Sequence, residues 1–212
     1  MLNNPDLWTP RDLGHAFELV GGPDKKHHLK EARERARDIA ARLKNGEVCL
    51  EIGCGFGRIL RALHIELSLK RMSAKLIGVD FSASMLKLAA TYNRGLTIKY
   101  LQSSEDHIPL PDESVDFIFT HAVFIHNDPE QLNKMFSECK RLLKRDGHMR
   151  HDFVNGDNEL GRNSSKEALD SDFPLYYYSR SDIEEISRTC GFDIIEEKLG
   201  GKSGERIWYE FK

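Results

Sequence analysis

Between positions 51 and 58 the chain reads Glu51-Ile52-Gly53-Cys54-Gly55-Phe56-Gly57-Arg58. Glycine at alternate positions lets a backbone turn tightly and approach a ligand where any Cβ would clash. The helix that follows points the positive end of its dipole at that ligand, which suits a carboxylate or phosphate. A dinucleotide fingerprint, G-x-G-x-x-G, needs a third glycine at position 58 or 60, and Arg58 and Leu60 stand there. Nicotinamide and flavin chemistry is therefore disfavoured. Cys54 has no Cys or His at ligand spacing and reads as a small loop residue; no metal site is expected. Glu51, beside the glycines, is a candidate ligand contact. A second acid, Asp80, closes the apolar run Leu76-Ile77-Gly78-Val79. A third group of candidates is His121-Ala122-Val123-Phe124-Ile125-His126. There His126 has the side-chain type to move a proton near neutral pH. It can equally serve as an aromatic wall or as a cap for the next helix. His151 and Asp152 are alternatives for the base.

The pattern E-x-G-x-G-x-G resembles the first motif of class I S-adenosylmethionine-dependent methyltransferases, of the small-molecule, type 11-like kind. Further landmarks follow in order. Gly78-Val79-Asp80-Phe81-Ser82 is similar to the second motif, and the resemblance implies that Asp80 holds both ribose hydroxyls while Phe81 packs on adenine. Ser104-Glu105-Asp106 resembles the third motif. Relatives often carry Asp where Ser104 stands, which leaves open whether Ser104 or Asp106 meets the adenine amino group. Lys140 to Gly147 is similar to the family's approach to its fifth strand, with Asp146 replacing a proline. The resemblance covers residues 35–154 closely. It implies S-adenosyl-L-methionine as cofactor, with Glu51, Gly53, Cys54, Gly55 and Arg58 around its methionine end. Thr120 or His121 would add backbone contacts there.

These residues need strands to carry them. Short apolar runs alternate with amphipathic stretches, the pattern of βαβ units. Strands are predicted over 47–52, 75–79, 96–101, 115–120 and 148–154, with a closing hairpin from 192–199 and 205–211. Helices are predicted over 24–44, 58–69, from about 82, from Asp128-Pro129 to about 145, and from Ser181, which opens a capping-box spacing with Glu184, to Gly191. Asp128 is a capping carboxylate and Pro129 suits the first helical position. The expected fold is α/β and Rossmann-like: a doubly wound, mostly parallel seven-stranded sheet with a C-terminal antiparallel hairpin. One domain is expected over 1–212. It comprises an N-terminal lid over 1–23, a leading helix over 24–46 and an insertion or lid over 155–180 that fits neither period. Tyr176-Tyr177-Tyr178 would line a pocket or anchor that lid.

Composition narrows the function. The 212 residues carry 31 Lys plus Arg against 34 Asp plus Glu, a net charge of −3. That balance disfavours binding nucleic acid through overall charge. The apolar stretches break within a few residues, so no membrane span is expected. Met1 to Asp6 lacks the form of a secretory signal. Cys49, Cys54, Cys139 and Cys190 show no paired spacing and read as free thiols of a reducing, cytoplasmic setting. The expected partner is a small-molecule acceptor placed in line with the donor's methyl group; the alternatives are methylation of a protein or RNA, or binding of the donor without catalysis.

Overall fold

The computed structural model describes residues 8–20, 24–104, 107–168, 174–201 and 203–212. It divides into two compact units, one over residues 3–109 and one running from residue 110 to the C terminus. In the first, β1 (Val48–Ile52), β2 (Lys75–Asp80) and β3 (Ile98–Gln102) pair in parallel in the order β3-β2-β1. Parallel neighbours need crossovers. These are α3 (Arg58–Leu69) and α4 (Ala83–Tyr92), with α2 (Lys25–Ala40) leading into β1. Cys49, Leu50, Val79, Leu60 and Leu63 are all sealed, which is why β1 is apolar at every position but Glu51 rather than alternating. Asp24 caps α2 through Lys26 and His27 N–H, and Ser82 caps α4 through Met85 N–H.

A short helix that the sequence pattern does not announce, α1 (Leu13–Leu19), precedes these elements. The Asp12 carboxylate caps it by accepting from His15 N–H at 2.9 Å. It buries Ala16 and Phe17 against Phe56 and Met85, with Trp8 packed on the same cluster.

The second unit holds β4 (Val115–Thr120), β5 (Leu143–Asn155), β7 (Ile194–Gly200) and β8 (Arg206–Phe211), in the order β4-β5-β8-β7. β4 and β5 are parallel, β8 runs antiparallel to both β5 and β7, and the two-residue β6 (Tyr177–Tyr178) pairs with the end of β5. β5 starts five residues before the predicted strand, with a bulge where Val115 pairs Leu143 and Phe117 pairs His148. α5 (Pro129–Leu142) begins at the Asp128 cap and the N1 proline that the sequence announces.

Two expectations are corrected. The last helix, α7 (Arg180–Thr189), is capped by Ser179, whose side chain and Asp182 form the capping box, rather than by Ser181. The 155–180 segment is not irregular throughout: it carries α6 (Glu159–Ala168). This helix buries Gly161 and Ser165 instead of large apolar residues, because a Cβ on Gly161 would run into the Asn155 carbonyl. The architecture is the predicted Rossmann-like α/β class, parallel strands with a C-terminal antiparallel pair. No helix among the described residues is long and apolar enough to cross a membrane.

Candidate active site

In the first unit Gly53, Gly55 and Gly57 all have positive φ, at 68°, 52° and 74°, so the turn after β1 is open to glycine and strained for other residues. At Gly57 space forbids a side chain as well, since a Cβ would overlap the Tyr100 hydroxyl and Asn93 Nδ2. Asn93 Nδ2 donates to Tyr100 Oη at 2.7 Å and reaches the Phe56 and Gly57 carbonyls, bracing the turn from β3 and α4. Asp80, at the end of β2, ties the loop down. Its Oδ2 accepts from Gly55 N–H at 2.8 Å and its Oδ1 from Ser82 N–H at 2.9 Å. Burial pushes its pKa up to about 6, against the pull of those backbone donors.

Glu51 lies sealed beside it. Burial holds its carboxyl well above the usual range, Arg58 pulls it down and Asp80 pushes it further up. The backbone N–H of Leu60 offsets part of the burial, yet Glu51 Oε2 is buried with no hydrogen-bond partner. The Arg58 side chain turns to α2 instead, pairing with Glu31 at 3.2 Å and reaching the His28 carbonyl at 3.3 Å. Cys54 is buried, and its thiol is pushed well above its ordinary range by that burial, so it stays protonated and is no nucleophile. Phe81 is half-buried with its carbonyl accepting from Gln102. The Ser104 hydroxyl donates within its own loop to the His107 carbonyl at 3.3 Å. Glu105 and Asp106 lie outside the described residues.

Thr120, His121 and His126 stand in the second unit. Thr120 is fully buried with its hydroxyl 3.0 Å from His151 Nδ1. His151 is sealed among Phe124, Phe136 and Phe211. Burial, with Arg150 adding to it, lowers its pKa to about 3, so it is a neutral core residue and not a base. The His121 ring lies parallel to Trp208, centroids 5.6 Å apart, with Nδ1 3.9 Å from Asp152 Oδ2. Asp152 is fully buried, ion-paired with Arg206, and accepts from Ala122 N–H at 2.9 Å. Ala122 holds a left-handed φ of 57°, a strained conformation for a residue with a Cβ.

His126 Nδ1 sits 2.9 Å from the Pro174 carbonyl. A carbonyl only accepts, so Nδ1 carries the proton and Nε2 is left as the acceptor. Burial lowers its pKa, which keeps it neutral. It does not cap α5, a role Asp128 fills through Gln131 N–H. The 174–178 stretch lies on this loop: Tyr176 N–H donates to the Ile125 carbonyl, and the Tyr178 hydroxyl to the Asn127 carbonyl.

Comparison with known proteins identifies the domain. Residues 50–150 match the sequence profile of a family described as a methyltransferase domain. The chain carries a class I S-adenosylmethionine-dependent methyltransferase domain. The uncharacterized protein MJ1123 of Methanocaldococcus jannaschii is 31% identical over 69% of the chain. Demethylmenaquinone methyltransferase of Lactobacillus johnsonii is 32% identical over 50%, and the U6 snRNA (guanine-N(2))-methyltransferase THUMPD2 of Bos taurus 30% identical over 68%. The chain spans 65%, 43% and 31% of the lengths of these three relatives. Among solved structures, magnesium protoporphyrin IX methyltransferase of Synechocystis with bound SAH shares the fold. Its TM-score is 0.67 at 19% identity, covering 94% of this chain and 87% of that one.

The first unit fits the donor on its own geometry. Glu51 Oε2 is orphaned, and Asp80 is met by backbone donors alone. S-adenosylmethionine brings a cationic end and two ribose hydroxyls, which these two acids lack as partners. Sequence reasoning missed Asn93 and Tyr100 as braces and Asp152 with Arg206 as the anchor of the loop after β4. The last pair stands 54 positions apart with no local pattern to join it.

Proposed function

We propose that this domain transfers the methyl group of S-adenosylmethionine to a small-molecule acceptor that gives up a proton, with His126 as the base. The observation that carries the reading is the pair of sealed acids beside the glycine turn, Glu51 with an unpartnered oxygen and Asp80 bonded only to backbone N–H groups. S-adenosylmethionine supplies a methyl already activated by its sulfonium, with a neutral thioether as leaving group. The chain's own work is then to hold and align, for which well-oriented systems gain about 7–11 kcal/mol. Asp80 and Glu51 bind and orient. Gly53, Gly55 and Gly57 allow close approach. His126 Nε2 takes the proton from an acceptor hydroxyl or ammonium, its tautomer fixed by the Pro174 carbonyl. Residues 8–20, hung on Ser82 Oγ through the Trp8 carbonyl at 2.6 Å, serve as a cover that excludes water. The free thiols of Cys49, Cys54, Cys139 and Cys190 favour a reducing, cytoplasmic setting.

Thermal unfolding with S-adenosylmethionine, S-adenosylhomocysteine and NAD tests the cofactor. A ligand at 100 times its Kd stabilises by about 2.7 kcal/mol, roughly 5–11 °C for a chain of this size. The sulfur ligands should produce that shift and Asp80→Ala should abolish it. Transfer of tritiated methyl to fractionated cell extract tests the acceptor. Label in the small-molecule fraction, lost with His126→Ala, supports the reading. Label in RNA or protein overturns it, and the similarity to an RNA methyltransferase makes the RNA fraction the necessary control.

A further inference from the structure

The basic run on α2 plays no part in the chemistry above. With α3 it borders a trench of about 320 Å³ on the first unit. Arg33, Arg37, Arg58 and Arg61 line it, with Glu66 as the one acid among the lining residues. Two of the four cations are spoken for: Arg58 pairs with Glu31 at 3.2 Å, and Arg37 reaches Glu66 at 3.9 Å. Arg61 donates to the Tyr92 carbonyl and covers the Tyr92 ring at 5.0 Å, and neither it nor Arg33 has a carboxylate partner among the described residues. Between the cations lies apolar surface. Ala62, Ile65 and Leu69 recur at helical spacing along α3, with Ile65 48% and Leu69 76% exposed. Large apolar side chains so exposed, in a row and bordered by four arginines of which two have no carboxylate partner among the described residues, mark a surface that meets something.

We infer that this trench docks an amphipathic helix of a protein partner, with apolar anchors at helical spacing and acidic residues on its flanks. The 12 residues of α3 run about 18 Å, room for some three turns of a partner helix laid along them. Apolar anchors at i, i+3, i+4 and i+7 would match the Ala62-Ile65-Leu69 row, as in other helix-in-groove contacts. Acidic flanks would meet Arg33 and Arg61. Nucleic acid suits the trench less well: its floor is aliphatic, and its one ring, Tyr92, already lies under Arg61. A second copy offers no match in α7, whose Asp182, Glu184 and Glu185 accompany an apolar face, Ile183 and Ile186, that is already buried.

The full chain should be titrated into a fluorescein-labelled 16-residue helical peptide with leucines at helical spacing and glutamates on the flanks. The control is the same peptide with lysine in place of every glutamate. Saturable binding of the acidic peptide is expected, with little of the lysine peptide, and it should weaken as salt rises. Arg33→Glu with Arg37→Glu should lower the affinity about tenfold or more and make the lysine peptide the better ligand. Leu69→Asp should abolish binding of both peptides. Unchanged melting temperatures would show that these surface variants fold. No saturable binding, equal binding of the two peptides, displacement by a 12-nucleotide RNA, or self-association of the chain through Leu69 would each overturn the proposal. The readout is independent of methyl transfer.

Discussion

Glu51 and Asp152 are both carboxylates sealed near the ends of parallel strands, one in each unit, and they are treated in opposite ways. Asp152 is saturated from within the protein by Arg206, the Ala122 N–H and the nearby His121. Glu51 keeps an oxygen with no hydrogen-bond partner, and Asp80 beside it is held by backbone donors alone. Burying a charge without full compensation is unfavourable, so a fold tolerates it where a ligand completes the set. The first unit is thus unfinished without its donor. The second is finished, and spends its polar contacts on fixing the backbone of a loop.

If Asp152 is a structural anchor, its loss should be the largest effect in either unit. Asp152→Ala removes one partner of a buried ion pair and should lower the unfolding free energy by about 4 kcal/mol, read from urea midpoints. The opposite sign of behaviour is expected at Asp80. Its folded pKa of about 6 lies above the ordinary 3.8, so the folded state binds the proton more tightly. The associated stability is present below pH 4 and is lost as pH rises through 6. Wild type should therefore lose about 2 kcal/mol between pH 4 and pH 7 relative to Asp80→Asn, measured without ligand. A flat difference would mean that Asp80 is not held at a disadvantage.

Gly57→Ala should cost about 2 kcal/mol and remove the stabilisation by S-adenosylmethionine, because it combines positive φ with overlap on Tyr100 and Asn93. Gly46 has positive φ but open space around it, and Gly46→Ala should cost only about 1 kcal/mol and leave ligand stabilisation intact. The smallest effect is a gain. Ala122→Gly should raise stability by up to about 1 kcal/mol by relieving the left-handed backbone at 57°. Should it destabilise instead, the loop after β4 depends on the alanine methyl and not only on Asp152.

The same contrast explains what could be read from the sequence. The glycine turn, Asp80 and the Asp128-Pro129 start of α5 are local: each depends on residues within a few positions, and each stands where its pattern places it. Nonlocal devices left no trace. Asp152 finds Arg206 across the β5–β8 ladder, where Asp152 faces Trp208. Asn93 meets Tyr100 and the Phe56 and Gly57 carbonyls only after α4 and β3 have packed. α6 escaped because small residues face its interior, so no apolar period announces it. Arg58 reads as a donor contact because it follows the glycines, but as the first residue of α3 its side chain is carried back toward α2. His151 looked like a catalytic candidate by type, and only the aromatic residues around it make it core.

The chain has two tryptophans, and the fold gives one to each half. Trp8 packs on the Phe17 and Phe56 cluster under α1, while Trp208 lies flat against the His121 imidazole. Replacing either with phenylalanine leaves the other as a private optical reporter. One emission spectrum would then follow the segment over the glycine turn, and the other would follow the loop after β4 through the indole stacked on His121. Order of events in unfolding and in ligand capture could be separated half by half, with no label added.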